Sequence, residues 1–399
     1  MAGGLIAGGA AAAAQSVSNT PPTVPEWMKH EGSPLKEHAY GLPSRFEREV
    51  VRRGRSDEVM PGAGSIMTPH QDLRGMITPN GLVFERSHAG VPDIDPEQHR
   101  LMVHGLVRQP MVFTMEDLTR FPSVSRIHFI ECSGNSSREW RSPFGKTVQI
   151  SHGLLSCCEW TGVLLSTILD EAGVSRDARW VLAEGADSSA LTRSVPMQKC
   201  LEDAMLVYAQ NGEALRPENG YPLRLFLPGY EGNMNIKWLR RLKIGMEPFM
   251  TREETSKYTD ILPDGTARQF TFDMDAKSVI TSPSGGRKLK SGFVEITGVA
   301  WSGRGRVRRV DVSTDGGRTW QEAQLQTPVL SRAITRFRAP WRWNGSETIL
   351  QSRVIDETGY VQPTNRQLVA ERGYNSGYHY NGIHSWKIDA NGEITNVHA

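Results

Sequence analysis

The sequence predicts an α+β protein in two parts: a mixed α/β region followed by an all-β sandwich. Three observations carry that prediction. Residues 160–173 place apolar side chains at 164, 165, 168, 169 and 172, the spacing of one helix face, and Gly173 supplies a stop. Runs rich in β-branched and apolar residues at 127–130, 180–183, 205–209 and 223–227 read as strands around that helix. From Asp273 the character changes. Short alternating runs at 294–299, 307–312, 334–338 and 349–356 recur with turns between them, as in a β-sandwich.

Taken in order, the chain opens with a Gly- and Ala-rich stretch, 1–14, that resembles the apolar part and cleavage zone of an export signal. No basic start or twin arginine precedes it. It predicts a periplasmic protein. Residues 16–61, rich in Pro, Ser, Glu and Arg, read as an extended arm with one helix near 44–54. In 77–88 a Pro79-Asn80-Gly81 turn feeds a short strand ending in Arg86, Ser87 and His88. Residues 99–107 alternate as a strand, and Thr114 caps a short helix with Asp117 at its third position. A helix is expected at 197–201, a strand at 205–209 and a tight turn at Asn211-Gly212. Ser313-Thr314-Asp315-Gly316-Gly317-Arg318-Thr319-Trp320 has the Asp-box pattern of sialidases and reads as a structural turn rather than a glycosidase signal. A last hairpin is expected at Asp389-Ala390-Asn391-Gly392. The expected division is 1–40 leader and arm, 41–260 catalytic domain, 261–372 sandwich and 373–399 tail.

Composition excludes several functions. A net charge of +2 on 399 residues, with 23% charged, gives no single-sign field for nucleic acid. Arg48, Arg52, Arg53 and Arg55, and again Arg304, Arg306, Arg308 and Arg309, read as solvated faces. No run of 18 apolar residues offers a membrane-spanning helix. The four cysteines, Cys132, Cys157, Cys158 and Cys200, include no Cys-x-x-Cys pair, which excludes zinc-ribbon and thioredoxin-type sites. Without Cys-x-x-Cys-His, no c-type haem is expected in this chain, so a haem used in redox chemistry would sit on a partner.

Cys132 stands where an apolar run, 127–130, breaks into Ser133-Gly134-Asn135. A lone cysteine there is either buried packing or a thiolate ligand that a bulky group can approach past small residues. Other residues bear on the choice. Cys132-Ser133-Gly134-Asn135 resembles the Cys-Ala-Gly-Asn segment of the sulfite oxidase family of molybdenum enzymes, and Phe84-Glu85-Arg86-Ser87-His88 resembles that family's cofactor loop. Gly185-Ala186-Asp187, Tyr221-Pro222-Leu223-Arg224, Ile236-Lys237-Trp238-Leu239 and Ala300-Trp301-Ser302-Gly303 match it in order and spacing.

The resemblance covers 75–372 and implies a domain holding molybdenum on one molybdopterin, then an immunoglobulin-like dimerisation domain. It makes Cys132 the metal ligand, and Phe84, Arg86, Ser87, His88, Asp187, Asn219, Arg224, Asn235 and Lys237 the cofactor contacts. Arg86, Tyr258, Arg372 and Arg138 become the catalytic set. The substrate side departs from the family: Ser137 replaces an arginine (Arg138 follows it), Ile150 and Ser151 replace a tryptophan and an arginine, Asn219 a histidine and Met234 another arginine. Fewer arginines hold a small oxyanion less well. With the arm and the aromatic tail at Tyr374, Tyr378 and Tyr380, this points to the molybdenum subunits of bacterial sulfur-oxidising (Sox) sulfane or sulfite dehydrogenases. Their substrate is a sulfane sulfur on a carrier-protein cysteine, and a c-type cytochrome subunit takes the electrons. The expected assembly is a homodimer through the C-terminal domain, joined to that cytochrome. Free sulfite, methionine sulfoxide in the reductive direction, and a metal-free β-sandwich binding protein stand as alternatives.

Overall fold

The computed structural model describes residues 25–31 and 40–399. The chain falls into two compact units, 1–50 and 51–399. In the first, Glu26–Met28 and Arg45–Glu47 are single 3-10 turns. The expected export signal, 1–14, and the parts of the arm at 16–24 and 32–39 lie outside the described residues.

The expected helix over 44–54 does not form. After the turn at Arg45–Glu47, Arg53–Ser56 is a strand paired antiparallel with Gly64–Met67, which pairs in turn with Glu85–Ser87. Phe46 and Val51 stay exposed, with no face to cover them, and Gly54 pairs with Ile66 of its partner strand. A Cβ at Gly54 would fall 2.0 Å from the Ser65 carbonyl oxygen, so only glycine permits that pairing.

Two five-stranded sheets make up the α/β region. The first is antiparallel: Glu213–Ala214, Met205–Gln210, Leu155–Leu164 and Ser123–Glu131 lie in that order, and Arg224–Phe226 also pairs with Met205–Gln210. The second is mixed, ordered Met111–Phe113, Leu101–Gly105, Leu239–Gly245, Trp180–Gly185, Thr192–Pro196, with Leu101–Gly105 and Leu239–Gly245 parallel. The helix Leu165–Ala172 buries Leu165, Ile168, Leu169 and Ala172, the expected face, and Gly173 ends it at φ 67°. These side chains pack with Leu101, Val181, Leu206 and Leu242 from both sheets. Thr114 and Asp117 form a reciprocal capping box around the helix Met115–Thr119.

The second half is the expected sandwich. One sheet runs Lys277–Ser282, Gly292–Trp301, Thr335–Trp343, Gln324–Leu325; the other runs Gln321–Glu322, Val307–Ser313, Thr348–Asp356, Ser385–Ile388, Ile394–Val397. The final hairpin turns at Asp389–Gly392 and adds two strands to the second sheet, with Trp386 wholly buried in the core. The end of the stretch expected as a separate tail, 373–399, is therefore part of the sandwich, because its apolar side chains complete that core. The Asp-box closes on itself. Asp315 accepts from the Thr319 amide (2.9 Å), Ser313 Oγ from the Gly317 amide (2.9 Å), and Gly317 O from Trp320 Nε1 (3.0 Å).

The halves share one core: Phe129, Val148, Leu155 and Cys157 pack among Val279, Trp301, Val310, Phe337 and Leu350. A buried polar clamp fastens the same junction. Lys277 Nζ lies 3.1 Å from Glu131 Oε1 and donates to Ser136 Oγ (3.1 Å), while Trp301 Nε1 donates to Glu131 Oε2 (2.6 Å) and Asn135 Nδ2 to Glu131 Oε1 (2.9 Å). Glu131 and Lys277 are both essentially inaccessible to solvent.

Removing one partner of such a pair strands the other charge. Lys277→Met is therefore expected to destabilise the protein by roughly 3–5 kcal/mol in urea unfolding. Glu131→Gln with Lys277→Met, which removes both charges, should recover most of that loss. Equal losses in the single and double variants would mean the two charges are not coupled.

Candidate cofactor and active site

Strand Ser123–Glu131 delivers Cys132 to a tight loop. The Cys132 amide donates to Leu154 O (3.0 Å), Cys132 O accepts from the Asn135 amide (2.8 Å), and Ser136 turns back at φ 64°. Gly232 closes the loop from the other side: a Cβ there would sit 2.8 Å from Glu131 O and 3.1 Å from Cys132 Cα. Burial pushes the Cys132 thiol up, and the Gly134 amide and the Arg86 guanidinium pull it back. Cys157, Cys158 and Cys200 are buried, unpaired thiols pushed up by the same burial, consistent with packing.

Cys132 opens on a cavity of about 730 Å³, mouth included, lined also by Phe84, Arg86, Ser87, His88, Asp187, Asn219, Arg224, Asn235, Lys237 and Tyr258. Residues from seven separated stretches of sequence thus converge on one space. Lys237 Nζ donates to Ser87 Oγ (3.1 Å) and Glu218 O (2.9 Å) and lies 4.2 Å from the Trp238 ring centroid. Burial, then the neighbouring Arg224, bring its ammonium down to about 7. Arg224 donates to Asn219 O (2.9 Å), and burial lowers its guanidinium to about 10. Asn235 instead holds its own loop, accepting from the Leu227 amide (2.7 Å) and donating to Glu231 O (3.0 Å).

Arg138 and Arg372 do not line this cavity. Arg138, in the turn Ser137–Trp140, lies over the Phe144 ring at 4.4 Å and borders a separate groove of about 950 Å³ with Ser137, Ile150, Ser151, Arg53 and Arg55. Arg372 ends the helix Asn365–Arg372, buried, with Nη2 3.7 Å from Asp275 Oδ2. Each long cation has taken the nearest ring or carboxylate.

At the open end, Arg86, His88 and Tyr258 form one hydrogen-bonded unit. Arg86 Nη2 is 3.5 Å from His88 Nδ1, and His88 Nε2 is 3.1 Å from Tyr258 Oη. Burial, then Arg86, hold the His88 imidazole neutral, at about 4. A guanidinium only donates, so Nδ1 is the acceptor, Nε2 carries the proton, and the Tyr258 oxygen receives it. That leaves the Tyr258 hydroxyl hydrogen free for a ligand. Burial raises the phenol, and the charge at Cys132 adds to this, so it stays a donor.

Sequence reasoning missed the layer beneath. Glu231, buried beside the loop, pairs with Arg193 (3.4 Å) and His379 (3.1 Å), and Asn233 Nδ2 donates both to it (2.6 Å) and to Ser133 Oγ (3.0 Å). Burial alone would raise its carboxyl; His379 and Arg193 hold it at about 2. No local motif marks Lys277, Arg193 or His379, because each meets its partner across a long stretch of chain. The one available signal was the Gly232–Asn235 loop, whose glycine must admit the Cys132 backbone.

The residues present fit a molybdopterin. Asp187 Oδ1, Asn219 Oδ1 and Arg224 Nε are buried without a hydrogen-bond partner, each costly unless a ligand meets it. Two acceptors suit the amino edge of a pterin, and two buried cations suit its phosphate. Among the described residues no group of three or more His, Cys, Asp or Glu is placed to hold an ion, so a metal at Cys132 would take its other donors from the ligand.

Comparison with known proteins agrees in both halves. Residues 88–253 match the oxidoreductase molybdopterin binding domain, and residues 268–385 the Mo-co oxidoreductase dimerisation domain. Mitochondrial sulfite oxidase of Mus musculus is 34% identical over 324 residues, which are 74% of this chain but 59% of that protein. Sulfite oxidase of Gallus gallus is 30% identical over 312 residues, 72% of this chain and 68% of its own. The crystal structure of the sulfane dehydrogenase SoxCD from Paracoccus pantotrophus superposes with a TM-score of 0.92 at 48% identity, covering 94% of this chain and 97% of that one. With the cavity at Cys132 and both domains matched, the chain belongs to the sulfite oxidase family of molybdopterin oxidoreductases.

Proposed function

We propose that this chain is the SoxC-type molybdenum subunit of a sulfane dehydrogenase. It would oxidise sulfane sulfur held on a carrier-protein cysteine during thiosulfate oxidation and pass electrons to a c-type cytochrome subunit. The observation that carries this reading is the likeness to SoxCD over nearly the whole of both chains. The groove beside the metal loop supports it. Ser137, Ile150 and Ser151 present small or apolar surface there, where the family resemblance expects an arginine, a tryptophan and an arginine, and Arg53, Arg55 and Arg138 give the groove a cationic border. Export to the periplasm, dimerisation through the C-terminal domain and docking of the cytochrome belong to the same reading. They rest on the apolar opening sequence, the dimerisation-domain match and the two-subunit name of that relative.

When bound, the cofactor supplies the two-electron couple for oxidising sulfur with oxygen from water. Each oxidation then balances as sulfur plus one water giving the S–O product, two protons and two electrons. The protein's part is positioning and charge. Cys132 gives the thiolate that holds the metal. Arg224 and Lys237 would hold the phosphate, and Asp187 and Asn219 the pterin edge. Arg86 faces negative charge growing on the product oxygen, and Tyr258 offers the free hydroxyl hydrogen derived above.

Cys132→Ser is expected to fold and to lose both metal and turnover, read by elemental analysis and cytochrome c reduction; full activity in that variant would overturn the assignment. Tyr258→Phe should keep the metal and lower kcat/KM by about 10²-fold, the usual loss for one donor at a developing oxyanion. Faster cytochrome reduction with free sulfite than with carrier-bound sulfane sulfur would replace the substrate and keep the family.

Lys237 yields a pH test in cofactor-free protein. Its folded value of about 7 lies below the ordinary 10.5, so the unfolded chain binds more protons between those values. Wild type should gain stability relative to Lys237→Met as pH rises from 7 to 10, measured by urea unfolding at each pH. A gap that stays flat over this range would show that the ammonium is not buried as described.

A further inference from the structure

The stretch 374–380 reaches the site from near the end of the chain and lines no part of the cavity. Yet the His379 amide donates to the carbonyl of Ser133, the residue after Cys132 (2.8 Å). The His379 ring pairs with Glu231 (3.1 Å), which Asn233 joins to Ser133 Oγ. One residue earlier, the Tyr378 ring lies 5.0 Å from that of Tyr258, and its hydroxyl meets the Tyr258 backbone. The Tyr378 carbonyl is fixed in turn by Trp140 Nε1 (3.2 Å). Tyr258 needs such support: its backbone is left-handed, φ 50°, where a side chain is disfavoured, and Arg193 stands 5.4 Å from its ring.

We propose that Tyr378 and His379 are positioning residues for the reaction, Tyr378 fixing the Tyr258 hydroxyl and His379 fixing the thiolate loop through Ser133 and Glu231. The tail then serves as a strap across two groups, the Cys132 loop and Tyr258, that come from different parts of the α/β region. A change in the tail is transmitted to both without touching substrate. This rests on the reading of Cys132 as metal ligand and Tyr258 as donor, so the test has one arm that is independent of turnover.

In the cofactor-free full chain, hydrogen exchange of segments 132–137 and 256–259 is followed in Tyr378→Ala and His379→Ala. Segment 256–259 should exchange about tenfold faster in the first variant and 132–137 in the second, with the sandwich strands unchanged. In the loaded enzyme, each variant should lose about tenfold or more in kcat with KM nearly constant, and the Mo(V) paramagnetic signal should shift. His379→Gln, which can still donate to Glu231, should restore most of the loss and stands in if His379→Ala does not fold. Tyr374→Ala, exposed at the start of the same segment, is the control. Wild-type exchange in both segments would overturn the proposal, as would unchanged kcat and signal in metal-loaded variants. Normal exchange changes with a Cys132→Ser enzyme that still turns over would instead overturn the catalytic reading alone.

Discussion

The interaction on which the site depends is the ion pair between Glu131 and Lys277. It lies one residue from Cys132 and joins the last position of a strand in the first half to the first strand of the second. In a medium that excludes water, two such charges attract strongly but also lose their hydration, and the net gain over a well-packed apolar pair is small. What the pair gives is direction. Each carboxylate oxygen and the ammonium has a defined partner, so the peptide entering the thiolate loop has one placement. Gly232 and the Glu231 network then confine the loop from the opposite face.

The same contrast explains the cavity. Behind Cys132, Glu131 is paired with Lys277 and Glu231 with Arg193 and His379; inside the cavity, among the described residues, neither Lys237 nor Arg224 has a carboxylate at ion-pair distance, and burial presses both toward their neutral forms. A fold does not retain two such cations at no cost, and an anionic group between them offsets it. The neutral His88 at the other end serves a different purpose, fixing a hydrogen-bond direction rather than a charge. The cavity is thus cationic where a phosphate would be held and dipolar where oxygen would be transferred. Membership in an oxidoreductase family and this charge layout both speak against a metal-free binding protein.

Much of this was legible in the sequence wherever information is local. The helix Leu165–Ala172 announced its face and its stop, and the sandwich strands showed their alternation because one side of each is buried. The segment 44–54 misled because polar residues without periodicity fit a strand hairpin as well as a helix, and only the partner strand decides. Within the site, Arg86, His88, Asp187, Asn219, Arg224, Asn235 and Lys237 were found through an ordered resemblance and do line one cavity. Arg138 and Arg372 were picked on the same grounds but end beside Phe144 and Asp275, since a long side chain's final direction depends on neighbours that no motif encodes. Lys277, Glu231 and His379 were invisible for a related reason: their importance lies wholly in contacts between distant segments.

The distance between Glu131 and Lys277 along the chain, 146 residues, also sets an order of events in biosynthesis. The first half leaves the ribosome with its thiolate loop unclamped and with Phe129, Leu155 and Cys157 still lacking the side chains that will cover them. Not until the sandwich has been made and has folded against it does the loop acquire its final shape. A chain that stops before the second domain lacks Lys277 and Trp301, and with them the clamp that fixes the peptide entering the Cys132 loop.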